Sequence, residues 1–191
     1  VKSRFQSEFL IAHGLRADQR LLDIGCGTLR GGIPLIEYLD AGHYFGIEAR
    51  EEALKEARAA LAEAGLQDKS PTLIHSADPA SVSLREKIQV AWAFSVLIHM
   101  EDAIVEACLD LVARVLDDDG VFYANVILGD GPRAQWREFP VVPRPQAFYE
   151  GLAARHALDF SVMGPLKTLG YPKDSEGGNG IMLRFARVPG R

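Results

Sequence analysis

Cysteine is scarce in this chain: Cys26 and Cys108 are the only two in 191 residues. Two cysteines build no disulfide framework, and neither has His or Cys neighbours at zinc-ligand spacing. A basic excess is also missing, since 21 Lys and Arg face 26 Asp and Glu for a formal charge of −5. Nucleic-acid binding, which calls for a basic domain or stripe, is therefore not expected. No apolar run is long enough to cross a bilayer, and the first residues show no signal-peptide pattern. Repeats, low-complexity tracts and linkers are absent too. With 48% hydrophobic and 25% charged residues, the chain reads as one globular domain over residues 1–191, and a reducing cytoplasm is its expected setting.

Glycine, by contrast, is plentiful at one informative place. Leu21-Leu22-Asp23-Ile24 is an apolar run that carries an acid, and Gly25-Cys26-Gly27 follows at once, with Gly31-Gly32 shortly after. This order predicts a buried strand, a tight turn and the start of a helix. A turn without side chains lets a ligand lie against backbone N–H groups. Asp23 can pair with an ammonium or a hydroxyl and repels a diphosphate. The dinucleotide fingerprint G-x-G-x-x-G also fails here, because Arg30 stands at its third glycine. Cys26 has no base nearby to activate it and is expected to be a small side chain under the turn.

Strands and helices alternate through the rest of the chain, which predicts an open α/β sheet. Helices are expected over residues 3–13, 31–39, 51–64, 101–116 and 146–158. Strands are expected over 21–24, 44–48, 72–76, 90–94, 121–128, 160–163 and 181–188. Residues 117–120 read as a turn, 129–145 as an irregular segment, and 164–180 as a Gly- and Lys-containing loop. Glu48 ends the second strand, where an acid accepts hydrogen bonds from both hydroxyls of a ribose.

The glycine turn, its acid and Glu48 together resemble the class I S-adenosylmethionine (SAM) dependent methyltransferases. The resemblance covers roughly residues 5–188. It implies a Rossmann-like sheet of seven mostly parallel strands with helices on both faces and a C-terminal antiparallel pair. It also implies SAM as cofactor and S-adenosylhomocysteine (SAH) as product; no metal is expected, because Gln89, Ala91 and Ala93 supply none of the acids that a metal-dependent transfer wants around the fourth strand. On the family pattern Asp23, Gly25, Cys26 and Gly27 hold the methionyl part and Glu48 the ribose. Ala77 and Asp78 meet the adenine, and Ser95 with Val96 lines the pocket beside the sulfonium. The sequence departs from the pattern at Leu29, where a further glycine is common, and at Gln89, where an acid is common.

His99 is the candidate general base, since an imidazole takes a proton near neutral pH. The segment 129–145 is the candidate acceptor loop, through Arg133, Trp136 and Arg137. With Arg144, its arginines suit an anionic small molecule. Residues 1–16 are expected to form a helix closing over the cofactor. Methyl transfer to oxygen or nitrogen of a small molecule is the expected activity. A SAM-binding protein without turnover is the alternative, and an aminopropyltransferase on the same fold lacks the acidic channel it needs.

Overall fold

The structure is a computed structural model that describes residues 2–172 and 179–188. Part of the predicted loop 164–180, residues 173–178, lies outside the described residues. The chain runs α1 (Lys2–Ala12), β1 (Leu21–Ile24), α2 (Gly32–Tyr38), β2 (Tyr44–Glu48), α3 (Glu51–Glu63), β3 (Thr72–His75), β4 (Ile88–Ala93), α4 (Asp102–Val115), β5 (Leu116–Val126), β6 (Ala134–Trp136), β7 (Phe139–Val141), α5 (Gln146–Arg155), β8 (Leu158–Pro165) and β9 (Ile181–Arg187). Seven strands form one sheet in the order β3-β2-β1-β4-β5-β9-β8. The first five are parallel, and β9 pairs antiparallel with both β5 and β8.

The apolar runs become strands because both faces of the sheet are covered. Leu22, Ile24, Phe45, Ile47, Ala91 and Ala93 turn to one face and pack under α4 and α5. Leu21, Tyr44, Val90 and Trp92 turn to the other, under α1, α2 and α3. In α3 the buried stripe is Ala53, Leu54, Ala57 and Leu61, and two glutamates in its first turn complement the helix dipole. The strand order reverses between β1 and β4, and ligands of open α/β sheets bind at such a switch point, beyond the carboxyl ends of the strands.

Two expectations need correction. The turn at 117–120 is a bulge inside β5: Ile88 pairs with Leu116 and Val90 already pairs with Val121, so the intervening residues arch out. The segment 129–145 is not irregular throughout. It carries an antiparallel hairpin, β6–β7, in which Trp136 pairs with Phe139 across Arg137 and Glu138.

Candidate active site

The glycine turn opens at the switch point. Gly25 and Gly27 have φ of +75° and +56°, a left-handed backbone that glycine adopts without strain. A side chain at Gly25 would also meet Val96, whose Cγ2 lies 2.4 Å from where a Cβ would stand. Thus Val96, just beyond β4, closes one wall of the turn. Cys26 folds beneath it, with Sγ only 2.8 Å from the position of a Cβ on Gly46. Burial and the neighbouring Asp23 push this thiol well above the ordinary cysteine range. Leu29, the departure from the family pattern, holds φ +59° with its side chain fully buried. The helix α2 consequently starts at Gly32, a turn later than the glycines.

Asp23 is 5% exposed, and its Oδ2 accepts a hydrogen bond of 2.6 Å from the Tyr44 hydroxyl. Burial raises its pKa to about 6; the Tyr44 bond works against the rise and the charge of Glu48 adds to it. A buried carboxyl next to a second carboxylate favours a cation as partner. Glu48 is buried as well. Its Oε2 accepts from the Gly27 N–H at 3.0 Å, and its Oε1 accepts from both N–H and Nε–H of Arg50 at 3.0 Å. The acid that ends β2 is thereby tied directly to the glycine turn.

Asp78 stands exposed beyond β3, with Oδ1 accepting from the Ala80 N–H at 3.0 Å, and so caps the short turn Pro79–Ser81. Ala77 is exposed beside it. Ser95 is exposed beyond β4 with φ +57°, and its N–H donates to the buried Asn125 side chain at 2.6 Å. A non-glycine residue in this conformation stores strain, which clusters at functional sites. Asp23, Gly25, Cys26, Gly27, Glu48 and Ser95 thus converge on the strand ends around the switch point.

His99 closes the short helical turn Leu97–His99 that follows Val96. Its Nδ1 lies 2.7 Å from the Pro140 carbonyl oxygen of the hairpin, and its ring packs on Trp136 and Phe139. The Arg50 guanidinium sits 5.7 Å from the Phe139 ring centre, so the hairpin reaches from β5 across to the Glu48 side.

The loop arginines divide into three roles. Arg133 is held in a two-point pair with Glu101, at 2.6 and 2.7 Å. Arg144 is 3% exposed and bonds to Asp102 and to the carbonyls of Leu97 and Met100. Arg137 lies over Trp136, 4.7 Å from the ring centre, and has no hydrogen-bond partner among the described residues. The expectation of an arginine cluster open to an anion therefore narrows to Arg137.

The N-terminal helix lies against the same region. Gln6 covers Gly31 and accepts a 3.0 Å bond from the Trp92 indole N–H. Phe5 packs against Phe94 and Tyr171, whereas Arg4 turns outward to Glu8. Sequence reasoning missed Tyr44, Arg50 and Asn125. Only the spacing of Arg50, two residues beyond Glu48, left a trace in the chain. Among the described residues, no group of three His, Cys, Asp or Glu is placed to hold a metal ion, and no helix is long and apolar enough to cross a membrane.

This architecture, with a glycine turn and two buried acids at the switch point, defines a class I SAM-dependent methyltransferase fold. The methyltransferase domain family model matches residues 22–122, and the chain belongs to that family. No curated protein sequence matches it. Among solved structures, magnesium protoporphyrin IX methyltransferase from Synechocystis PCC 6803 with bound SAM is 17% identical at a TM-score of 0.72, over 98% of this chain and 79% of its own. The YcgJ protein from Bacillus subtilis is 16% identical at a TM-score of 0.73, over 98% and 99%. The glycopeptide N-methyltransferase MtfA complexed with SAH is 15% identical at a TM-score of 0.73, over 98% and 90%. At these identities the likeness is one of fold.

Proposed function

We propose that the protein transfers the methyl group of SAM to an oxygen or nitrogen of a small-molecule acceptor. The observation that carries this reading is Asp23, a carboxyl buried beside the Gly25–Gly27 turn and next to a second acid. A ligand with an ammonium group satisfies that charge, whereas a diphosphate would be repelled. The residues fit SAM in other ways. Glu48 retains lone pairs for ribose hydroxyls beyond those used by Gly27 and Arg50. Asp78 and Ala77, exposed beyond β3, are assigned to the adenine, and Ser95 with Val96 to the wall beside the sulfonium. Cys26 serves the turn by packing on Gly46 rather than by touching the reaction.

When bound, SAM supplies an activated methyl group, so the protein's task is alignment and exclusion of water. The turn and the two acids fix the donor. Trp136 and Arg137 meet the acceptor, with Arg133 bracing the loop through Glu101. His99 takes the proton that an acceptor hydroxyl or ammonium must lose. The structural neighbours act on a porphyrin and on a glycopeptide, two acceptors of unrelated chemistry on one fold. Two buried free cysteines support a reducing, cytoplasmic setting.

The test is calorimetric titration with SAM and SAH, followed by turnover of SAM against a panel of small hydroxy and amino compounds. Micromolar binding that is lost in Asp23→Ala, together with SAH formation on at least one acceptor, is expected. A folded protein that binds neither ligand overturns the reading. Tight binding without turnover across the panel would favour a SAM-binding protein that has lost catalysis.

A further inference from the structure

We infer that the β6–β7 hairpin is a positioning element for His99, holding the ring as the Nδ1–H tautomer so that Nε2 is its proton-accepting atom. This rests on the base role proposed for His99 above. A neutral imidazole carries one N–H, and the partner of one nitrogen decides which atom is left to accept a proton. Here Nδ1 is 2.7 Å from the Pro140 carbonyl oxygen. A carbonyl only accepts, so the proton must sit on Nδ1. Among the described residues Nε2 has no hydrogen-bond partner.

The backbone around the ring is fixed by the same segment. The Val142 N–H donates to the Ile98 carbonyl at 2.9 Å. The Arg144 guanidinium donates to the carbonyls of Leu97 and Met100, two residues before and one after the histidine. Arg144 is 3% exposed and paired with Asp102, so one buried guanidinium ties both carbonyls. The ring itself is flanked by Trp136 and Phe139. The His99 N–H donates to the Val96 carbonyl at 2.9 Å, and Val96 is the residue that closes on Gly25. One short turn therefore connects the imidazole to the wall of the donor pocket. In this arrangement the acceptor loop does more than line a pocket: it sets which nitrogen of the base is left free to accept a proton.

The test is a long-range nitrogen–proton NMR spectrum of the whole protein labelled with 15N-histidine, recorded with and without SAH, at a pH well above the imidazole range. His99 is assigned by its loss in His99→Asn. The expected result is a His99 signal of the Nδ1–H form. A variant with residues 134–141 replaced by a short Gly-Ser turn should shift it toward the Nε2–H form that free histidine favours. An Nε2–H signal, or an even mixture, in the intact protein overturns the inference, whether or not the shortened variant folds.

The His99→Asn variant separates this inference from the base role. Its amide N–H can keep the bond to Pro140, but nothing replaces Nε2. With an acceptor from the panel, a fall in kcat of at least about a hundredfold with KM little changed is the expected outcome. Turnover at the unchanged rate, alongside an Nδ1–H signal, would remove the base role and leave the tautomer assignment standing.

Discussion

Replacing Asp23 by asparagine should make the ligand-free protein more stable at neutral pH while weakening its grip on SAM. Asp23 is 5% exposed, and its pKa is raised from the ordinary aspartate value of 3.8 to about 6, chiefly by burial. Because the folded pKa lies above the unfolded one, the folded chain holds its proton longer. Stability is then fullest in acid, below the unfolded pKa, and declines as pH rises through about 6. The charge left behind at neutral pH costs about 3 kcal/mol, at about 1.4 kcal/mol for each tenfold change in the proton equilibrium. Asparagine carries no charge, and its carbonyl can still accept from Tyr44. At about pH 8 the variant should gain up to about 3 kcal/mol, which for a domain of this size is roughly 6–12 °C in Tm. The gain should vanish in acid. Urea and thermal unfolding of both proteins across this range read it directly. A variant no more stable than the parent at neutral pH, or a difference that widens on acidification, would refute the reasoning. Calorimetry on the same samples should find SAH binding at least about tenfold weaker in the variant, since its ammonium loses its counter-charge.

Other perturbations separate the turn, the clamp and the covering helix. Gly25→Ala forces a Cβ onto Val96 in a left-handed backbone; a loss of about 1–3 kcal/mol is expected, with SAH binding abolished, by melting and calorimetry. Arg144→Met strands the carbonyls of Leu97 and Met100 and should cost about 2–4 kcal/mol. In contrast, Arg133→Ala removes only an exposed pair with Glu101 and should leave the urea midpoint nearly unchanged. Arg137→Ala should raise KM for an anionic acceptor about tenfold or more and leave SAH affinity unchanged; an unchanged KM would exclude Arg137 from acceptor binding. Gln6→Ala leaves the Trp92 indole N–H unpaired in the core and should cost about 1–3 kcal/mol in urea unfolding.

The middle of the sheet was legible in the chain because its inner strands are short, largely apolar runs with turn residues at their ends. Leu21–Ile24 and Tyr44–Glu48 fall where pattern alone places them. The hairpin was not legible. Its turn is Arg137-Glu138, with no glycine or asparagine to announce it, and Pro140 sits within its second strand. The bulge in β5 reads as a turn locally, since Asp117-Asp118-Asp119-Gly120 has turn composition; only its pairing with β4 shows that the strand runs through it. Within the candidate site, Gly25 and Gly27 were visible because a left-handed turn calls for glycine, and Asp23 and Glu48 because an acid stands out in or at the end of an apolar strand. The Tyr44 contact depends on β1–β2 register, and Leu21 pairs with Tyr44 only in the folded sheet. The arginines mislead for a related reason: charge in a loop is plain from sequence, but whether it faces solvent, an acid or a carbonyl is decided by packing.

The base of the segment that carries the β6–β7 hairpin is pinched shut. Leu128 and Arg144 form a bridge, the Gly129 N–H donates to the Arg144 carbonyl at 3.0 Å, and the Arg144 N–H donates to the Ile127 carbonyl at 3.1 Å. Whatever lies between these stems is a loop whose ends already meet, so its length and sequence can vary at little entropic cost to the sheet below. Asp23, Gly25, Gly27, Glu48, Asp78 and Ser95 all fall inside the family-matched residues 22–122, while Trp136, Arg137, Phe139 and Pro140 fall outside them. Under the proposed function, the chain divides into a donor cradle within the family match and a separate cassette spliced above it. On that reading, grafting a different hairpin between residues 128 and 144 should change acceptor choice and keep SAH affinity, provided the graft returns a carbonyl to His99.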